Sequence, residues 1–366
     1  MTITAGKDYS ADNIYPTLLR LLIVPSFLCL LVMGCISTRQ VPIEPENLRD
    51  NLIIAIDAEE PIVVLHKDRY YLYHAGRGIA TWVSRDRSNW IRLNPVFDAV
   101  PEWLDERAGN GNISMTASDM FFKDDKFFLI YTNESDSSNQ SQFGLATNRT
   151  LDPRSSDFQW VDQGNLLSNM ADSTRNRIRD LSLTIDEHNS AWLVATKRPN
   201  EVGVIQLQDS LNIPLQATPD IGWQQIAYYE TDDSESNPVQ HYFTDNQECS
   251  QESAAMKNHQ SSTLRFEKPV ISKKDDYVYL FLTVSKQCDS GTILTNTIVG
   301  RSSSIRGPFI DQNGVSLNMG GGSQFIENKQ ELNLLFISSV QRFEEADYLI
   351  GHTFDQETDR ANLLML

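Results

Sequence analysis

Beyond about residue 50 the chain alternates short apolar, β-branched and aromatic runs with polar turn signals, and helical periodicity is almost absent. The clearest runs are Pro61–His74, Met120–Thr132, Leu183–Thr196, Val270–Val284 and a last region from Ser323 to Asp355. The first four share one pattern: a strand, a charged turn, then an aromatic-rich strand. The turns are Lys67-Asp68, Asp124-Asp125, Asp186-Glu187 and Lys274-Asp275. Two units continue into a polar strand expected to close on Trp, at Ser84–Trp90 and Asp157–Trp160.

An acidic residue stands just before each unit: Glu60, Asp119, Asp180 and Glu267, separated by 59, 61 and 87 residues. A period near 60 with about four strands per unit describes a propeller blade. The expectation is an all-β, five-bladed β-propeller over residues 51–366, with a β-sandwich carrying irregular loops as the alternative. The longer third interval contains the Asp/Ser/Asn/Gln-rich stretch 232–262, which reads as a surface insertion.

The one long apolar stretch lies before the propeller. Residues 21–38 carry no charge, follow Arg20 and contain Leu31-Val32-Met33-Gly34-Cys35, which resembles a bacterial lipobox. This reading assigns 1–34 to a lipoprotein signal peptide, makes Cys35 the lipidated residue, and leaves 35–50, with Pro42 and Pro45, as a tether. An uncleaved membrane anchor is the alternative. Either way the rest of the chain is expected in the cell envelope, held by its N-terminus outside the cytoplasmic membrane. Such a compartment permits disulfides. Cys249 and Cys288 could pair there, or remain two buried thiols.

Composition narrows the partners. With 49 acidic against 31 basic residues the formal net charge is −18, which opposes binding to a phosphate backbone. No Cys-x-x-Cys pair suggests zinc. Six Trp, 12 Tyr and 16 Phe are enough to build a large core. Neutral, hydroxyl-rich ligands remain, and a monomer is expected.

In a propeller the innermost strand of each blade lines the axis, so acidic residues that open those strands converge on one mouth. Two converging carboxyls can hydrolyse a glycosidic bond: one, ionised, takes a proton from water, and the other, protonated, gives one to the leaving oxygen. A third raises the pKa of the acid by like-charge repulsion. Solvated turn residues are the bland alternative.

Three segments resemble glycoside hydrolase family 43, and most closely its arabinan endo-1,5-α-L-arabinanase-like members. They are Tyr70–Trp90, Phe143–Gly164 and Ile298–Gly322, within a likeness running from about Ile53 to Asp355. The resemblance implies an inverting mechanism with an Asp base, an Asp modulator and a Glu acid. Glu60 falls at the base position, one methylene longer than Asp, and Asp57 could replace it only if the strand register differed. Asp180 falls at the modulator, next to an unexpected Arg179. Glu267 falls at the acid, followed by Lys268 where the family has Ala or Gly. Asp119 matches the Asp of the family's Trp-Ala-Pro-Asp segment and is the substrate-binding candidate, although the Trp and Pro are replaced by Thr116 and Ser118. The family's axial ion, commonly calcium, is held by a His that residues 332–339 lack. No cofactor is therefore expected to be required, and no metal ligand is assigned. His352 matches a different family position and reads as a packed core residue.

Two functions stay open on this basis. One is hydrolysis of arabinan or a related pentose-containing polysaccharide or oligosaccharide; the other is a lipid-anchored propeller that binds glycan without turnover. A Glu60 that faces the axis favours the first. A Glu60 neutralised by Arg179 or Lys268 favours the second. Fructan processing on the same fold is a third reading, which Arg179-Asp180 suggests and the Gly300–Phe309 stretch opposes.

Overall fold

The structure, a computed structural model, describes residues 52–104, 114–135, 140–168, 178–207, 222–230, 263–287, 293–326, 335–355 and 360–366. All lie in the compact unit Val41–Leu366. The leader, Cys35, the 232–262 stretch, Cys249 and Cys288 lie outside the described residues.

The strands form five separate antiparallel sheets, the five blades of a propeller. Blade 1 is Ile62–His66, Arg69–His74, Ala80–Ser84 and Trp90–Arg92, from the axis outward. Blade 2 is Ser114–Lys123, Lys126–Ser135, Gln140–Asn148 and Val161–Ser168, with the short strand Gly76–Arg77 added at its inner edge. Blade 3 is Arg179–Ile185, Ala191–Arg198, Glu201–Gln206 and Gln224–Tyr228. Blade 4 is Thr263–Lys274, Tyr277–Gln287, Ile293–Ser302 and Ser323–Ile326. Blade 5 is Leu335–Phe343, Ala346–Asp355 and Arg360–Met365, completed on the outside by the first strand, Leu52–Asp57. That last pairing ties the beginning of the domain to its end.

The core explains why the blades read as nearly continuous apolar runs. Both faces of every blade are covered, so both side-chain sets of the middle strands are buried, while outer strands such as Trp90–Arg92 stay partly exposed. The buried apolar residues fall into five clusters, one for each blade interface. Tyr71 and Tyr73 meet Leu129 and Tyr131 between blades 1 and 2, and Ile130 and Phe143 meet Leu181 and Leu193 between blades 2 and 3. Val194 and Val204 meet Phe266 and Leu280 between blades 3 and 4, and Phe281 and Val299 meet Ile337 and Leu364 between blades 4 and 5. Val63 and Leu72 meet Ile350 and Leu363 at the interface that closes the ring. Each such side chain contributes about 1.5–3 kcal/mol on burial.

The charged hairpins are built as expected. Lys67 and Asp68 (φ 48° and 60°), and Asp124 and Asp125 (φ 48° and 59°), supply the paired left-handed residues of a two-residue type I′ turn. In blade 3 Asp186 ties its loop by accepting from the N–H groups of His188 and Ser190 at 2.9 and 2.8 Å.

Four expectations are corrected. Ser84–Trp90 is not one strand: residues 85–89 bend around Asp86, which accepts from the N–H groups of Ser88 and Asn89, and the outer strand starts at Trp90. The turn of blade 4 is Asp275-Asp276, since Lys274 pairs with Tyr277. Ser323–Ile326 is the outer strand of blade 4, and blade 5 begins at Leu335. Residues 157–160 are not a strand. Successive turns, with Ser155 N–H on Asp152 O and Phe158 N–H on Ser155 O, carry the chain to Trp160, and the strand starts at Val161.

Candidate active site

Each inner strand carries an irregularity at the same point, near its start. In blade 2 Ala117 pairs with Tyr131 and Asp119 with Ile130, so Ser118 is extra. In blade 3 Arg179 pairs with Thr196 and Ser182 with Val194. In blade 4 Glu267 pairs with Thr283 and Val270 with Phe281. In blade 5 Ile337 pairs with Gly351 and Ser339 with Ile350. Blade 1 repeats the device, since Glu59 O accepts from Ala75 N while Ile62 pairs with Tyr73. A bulge of this kind adds one residue and re-aims its side chain.

Glu60, Asp180 and Lys268 are left-handed there, with φ 53°, 53° and 50°. Together with Ser118 and Ser338, these bulge residues give one side chain per blade around a narrow axial cavity of about 20 Å³. Hydroxyl oxygens of Thr132 and Ser338 are buried at its wall without a protein hydrogen bond.

The ring revises the equivalence drawn from sequence. Glu60 and Asp180 occupy corresponding positions, but Glu267 stands one residue before the bulge and Asp119 one residue after it. A one-residue offset in a strand sends a side chain to the other face. Asp119 accordingly leaves the small cavity and lines a larger chamber of about 450 Å³, further along the inner strands among Val64, Phe121, Phe127, Ile185 and Ile271. Its two oxygens accept the N–H groups of Met120 at 2.7 Å and Leu183 at 2.6 Å, stitching blade 2 to blade 3. Burial pushes its carboxyl up to about 7, against the pull of those two donors. Both oxygens of Asp119 are thus engaged by backbone donors in the wall of that chamber.

Lys268 sits between two carboxylates. Its ammonium forms an ion pair with Glu60 Oε1 and lies 3.3 Å from Asp180 Oδ1. The pairing anticipated for Glu60 therefore exists, and Lys268 makes it. Glu267 is held separately, accepting from Ser285 Oγ at 2.9 Å. Burial first, then the charge of Asp180, raises its pKa, while the Ser285 hydrogen bond and the Arg179 and Lys268 charges oppose the rise. Arg179 thus acts on Glu267.

His352 is a packed core residue with a second task. It is buried, stacks on Phe336 with ring centroids 5.3 Å apart, and its Nδ1 accepts the Glu60 N–H at 3.3 Å. Burial, followed by the Lys268 charge, pushes its pKa down to about 3, so the ring is neutral and Nδ1 is free to accept. Asp57 lies outside the ring and accepts from Ala361 N at 2.9 Å, which leaves Glu60 as the blade 1 carboxylate.

The donor set does not fit the axial ion. Among the described residues no group of three or more His, Cys, Asp or Glu side chains could hold a metal, and the positive charge between Glu60 and Asp180 is the Lys268 ammonium.

A propeller whose first inner strands converge acidic side chains matches a known family. The family model described as Glycosyl hydrolases family 43 matches residues 49–324. The chain belongs to that family. Its class is that of glycosidases, enzymes that hydrolyse O-glycosyl bonds. This family 43 chain is 26% identical over 300 residues to the extracellular exo-α-(1→5)-L-arabinofuranosidase of Cellvibrio japonicus (strain Ueda107), covering 82% of this chain and 80% of that one. It is 24% identical over 268 residues to the extracellular endo-α-(1→5)-L-arabinanase 1 of Bacillus subtilis (strain 168), covering 72% and 71%. Among solved structures, the Cellvibrio cellulosa α-L-arabinanase complexed with arabinohexaose superposes with a TM-score of 0.68 at 25% identity, covering 85% of this chain and 91% of that one.

Proposed function

We propose that this family 43 chain is an inverting glycosidase of α-1,5-linked arabinofuranosyl chains, with Glu60 as base, Asp180 as modulator and Glu267 as acid. The observation that carries the proposal is the meeting of Glu60 and Asp180 at one axial cavity, with Glu267 held on the adjoining strand by Ser285. Glu267, buried beside Asp180, is shifted toward its protonated form.

In this mechanism Glu60 accepts a proton from water as the water oxygen attacks the anomeric carbon. The Glu267 proton passes to the leaving glycosidic oxygen, whose bond to that carbon breaks. The products are an inverted hemiacetal and a free hydroxyl. Glu60 is left protonated and Glu267 ionised, and exchange with solvent restores both. Arabinan is chosen because two relatives, one exo-acting and one endo-acting, are named for the α-(1→5)-L-arabinofuranosyl linkage. The lipobox-like Cys35 adds a lipid anchor to the proposal, checked by fatty-acid labelling of wild type and Cys35→Ala.

The Lys268–Glu60 ion pair is the one observation that favours the second reading, a propeller that binds glycan without cleaving it. Reducing-sugar release from linear arabinan, debranched arabinan and xylan separates the two. Release from arabinan that disappears in Glu267→Gln supports hydrolysis. Binding to one polymer with no release from any supports the receptor.

A further inference from the structure

The ammonium in the middle of the ring is the least expected group in the site. We infer that Lys268 is a positioning residue: it grips one oxygen of Glu60 and stands beside Asp180, so that the base is aimed across the axial cavity. The inference rests on the reading of Glu60 as the base.

The backbone sets the geometry. Glu60, Asp180 and Lys268 leave the chain from left-handed bulge positions, two of them followed by Pro61 and Pro269. Lys268 spans the cavity from blade 4 to reach Glu60 on blade 1 and Asp180 on blade 3. Its side chain is 15% exposed, against 28% for Glu60 and 12% for Asp180, so solvent screens the cluster only partly.

Chemistry supplies the need. The proposed mechanism requires Glu60 to take a proton from water in a set direction. One ammonium reaching both Glu60 and Asp180 ties the carboxylates of two blades to one point. Glu60 also has one more rotatable bond than Asp, and fixing Oε1 leaves Oε2 to meet water with a defined direction. The other groups that feel this charge are Glu59 from blade 1, Glu267 on the same strand and His352 from blade 5, and Arg179 from blade 3 acts on the same Glu267.

The test compares wild type with Lys268→Met, Lys268→Gly and Lys268→Arg. Gly suits the left-handed backbone and guards against misfolding of the Met variant. On linear arabinan the neutral variants should lose about ten- to a hundredfold in kcat with KM changed less than about threefold. Arg should restore part of the rate. Neutral variants as fast as wild type or faster would make Lys268 a block and overturn the inference, and so would slower variants whose KM rises as much as their kcat falls, or that Arg fails to rescue.

Wild type inactive on every polymer would instead remove the hydrolase reading. The ion cluster is then read from urea stability. A Lys268→Met deficit that largely disappears when Glu60 is already Gln supports the grip. A deficit of the same size in that background overturns it.

Discussion

Ser285 offers a measured handle on the acid. It lies on the second strand of blade 4, two residues from Thr283, the partner of Glu267, and donates to Glu267 Oε1 at 2.9 Å. This bond favours the ionised form and opposes the upward push of burial and Asp180. A hydrogen bond to a charged group is worth about 1.5–3 kcal/mol, and one pKa unit is about 1.4 kcal/mol. Ser285→Ala should therefore raise the Glu267 pKa further, by less than the whole bond is worth because water can replace part of it. An acid must be protonated to act, so the rate falls as pH rises through its pKa. The basic limb of kcat/KM should then move to higher pH, while the rate on the acidic side falls less than about tenfold. Measuring kcat/KM on linear arabinan between about pH 4 and 9 decides it. A basic limb that stays in place, or moves down, would refute the placement of Glu267 as the acid under Ser285.

Two further expectations concern stability. Asp119→Ala leaves two buried N–H groups without their acceptor, at a cost of about 1–3 kcal/mol each, read from urea unfolding. Because the folded carboxyl is held up to about 7 from an ordinary 3.8, its stabilisation is complete below the lower value and is lost as pH rises to the upper one. The gap between wild type and Asp119→Ala should narrow over that window, and a gap that widens would contradict the assignment. Gly144→Ala would place a methyl 2.2 Å from Tyr131 Cζ and 2.6 Å from Trp103. The two rings donate to Asp162 at 2.7 and 2.9 Å, so displacing them should cost about 2–4 kcal/mol, and an unchanged urea midpoint would show that they can yield.

The propeller was legible because its strongest signals are local. Lys67-Asp68 and Asp124-Asp125 are short charged turns between apolar runs, and the buried strands leave no helical period. The site was legible only to within one residue. Glu60, Asp119, Asp180 and Glu267 looked equivalent because each opens a strand, but the bulge adds a residue at that very point and alternation then sends Asp119 to the opposite side. Ser118 and Ser338 carried no chemical signal of their own. Lys268 did, as a long cation where the resembling sequences have Ala or Gly, but its reach across the axis comes from a left-handed backbone that no pattern of hydrophobicity records. Residues 157–160 misled because a polar run ending in Trp resembles an outer strand as much as a chain of turns.

The division of roles between Glu60 and Glu267 is tested most directly by changing the leaving group. Glu60→Gln and Glu267→Gln are compared on linear arabinan and on a dinitrophenyl arabino-oligoside, whose phenolate departs without protonation. Loss of the acid should abolish action on arabinan and spare the activated substrate, whereas loss of the base should abolish both. A Glu60→Gln enzyme that still cleaves both substrates, or a Glu267→Gln enzyme silent on both, would contradict the account.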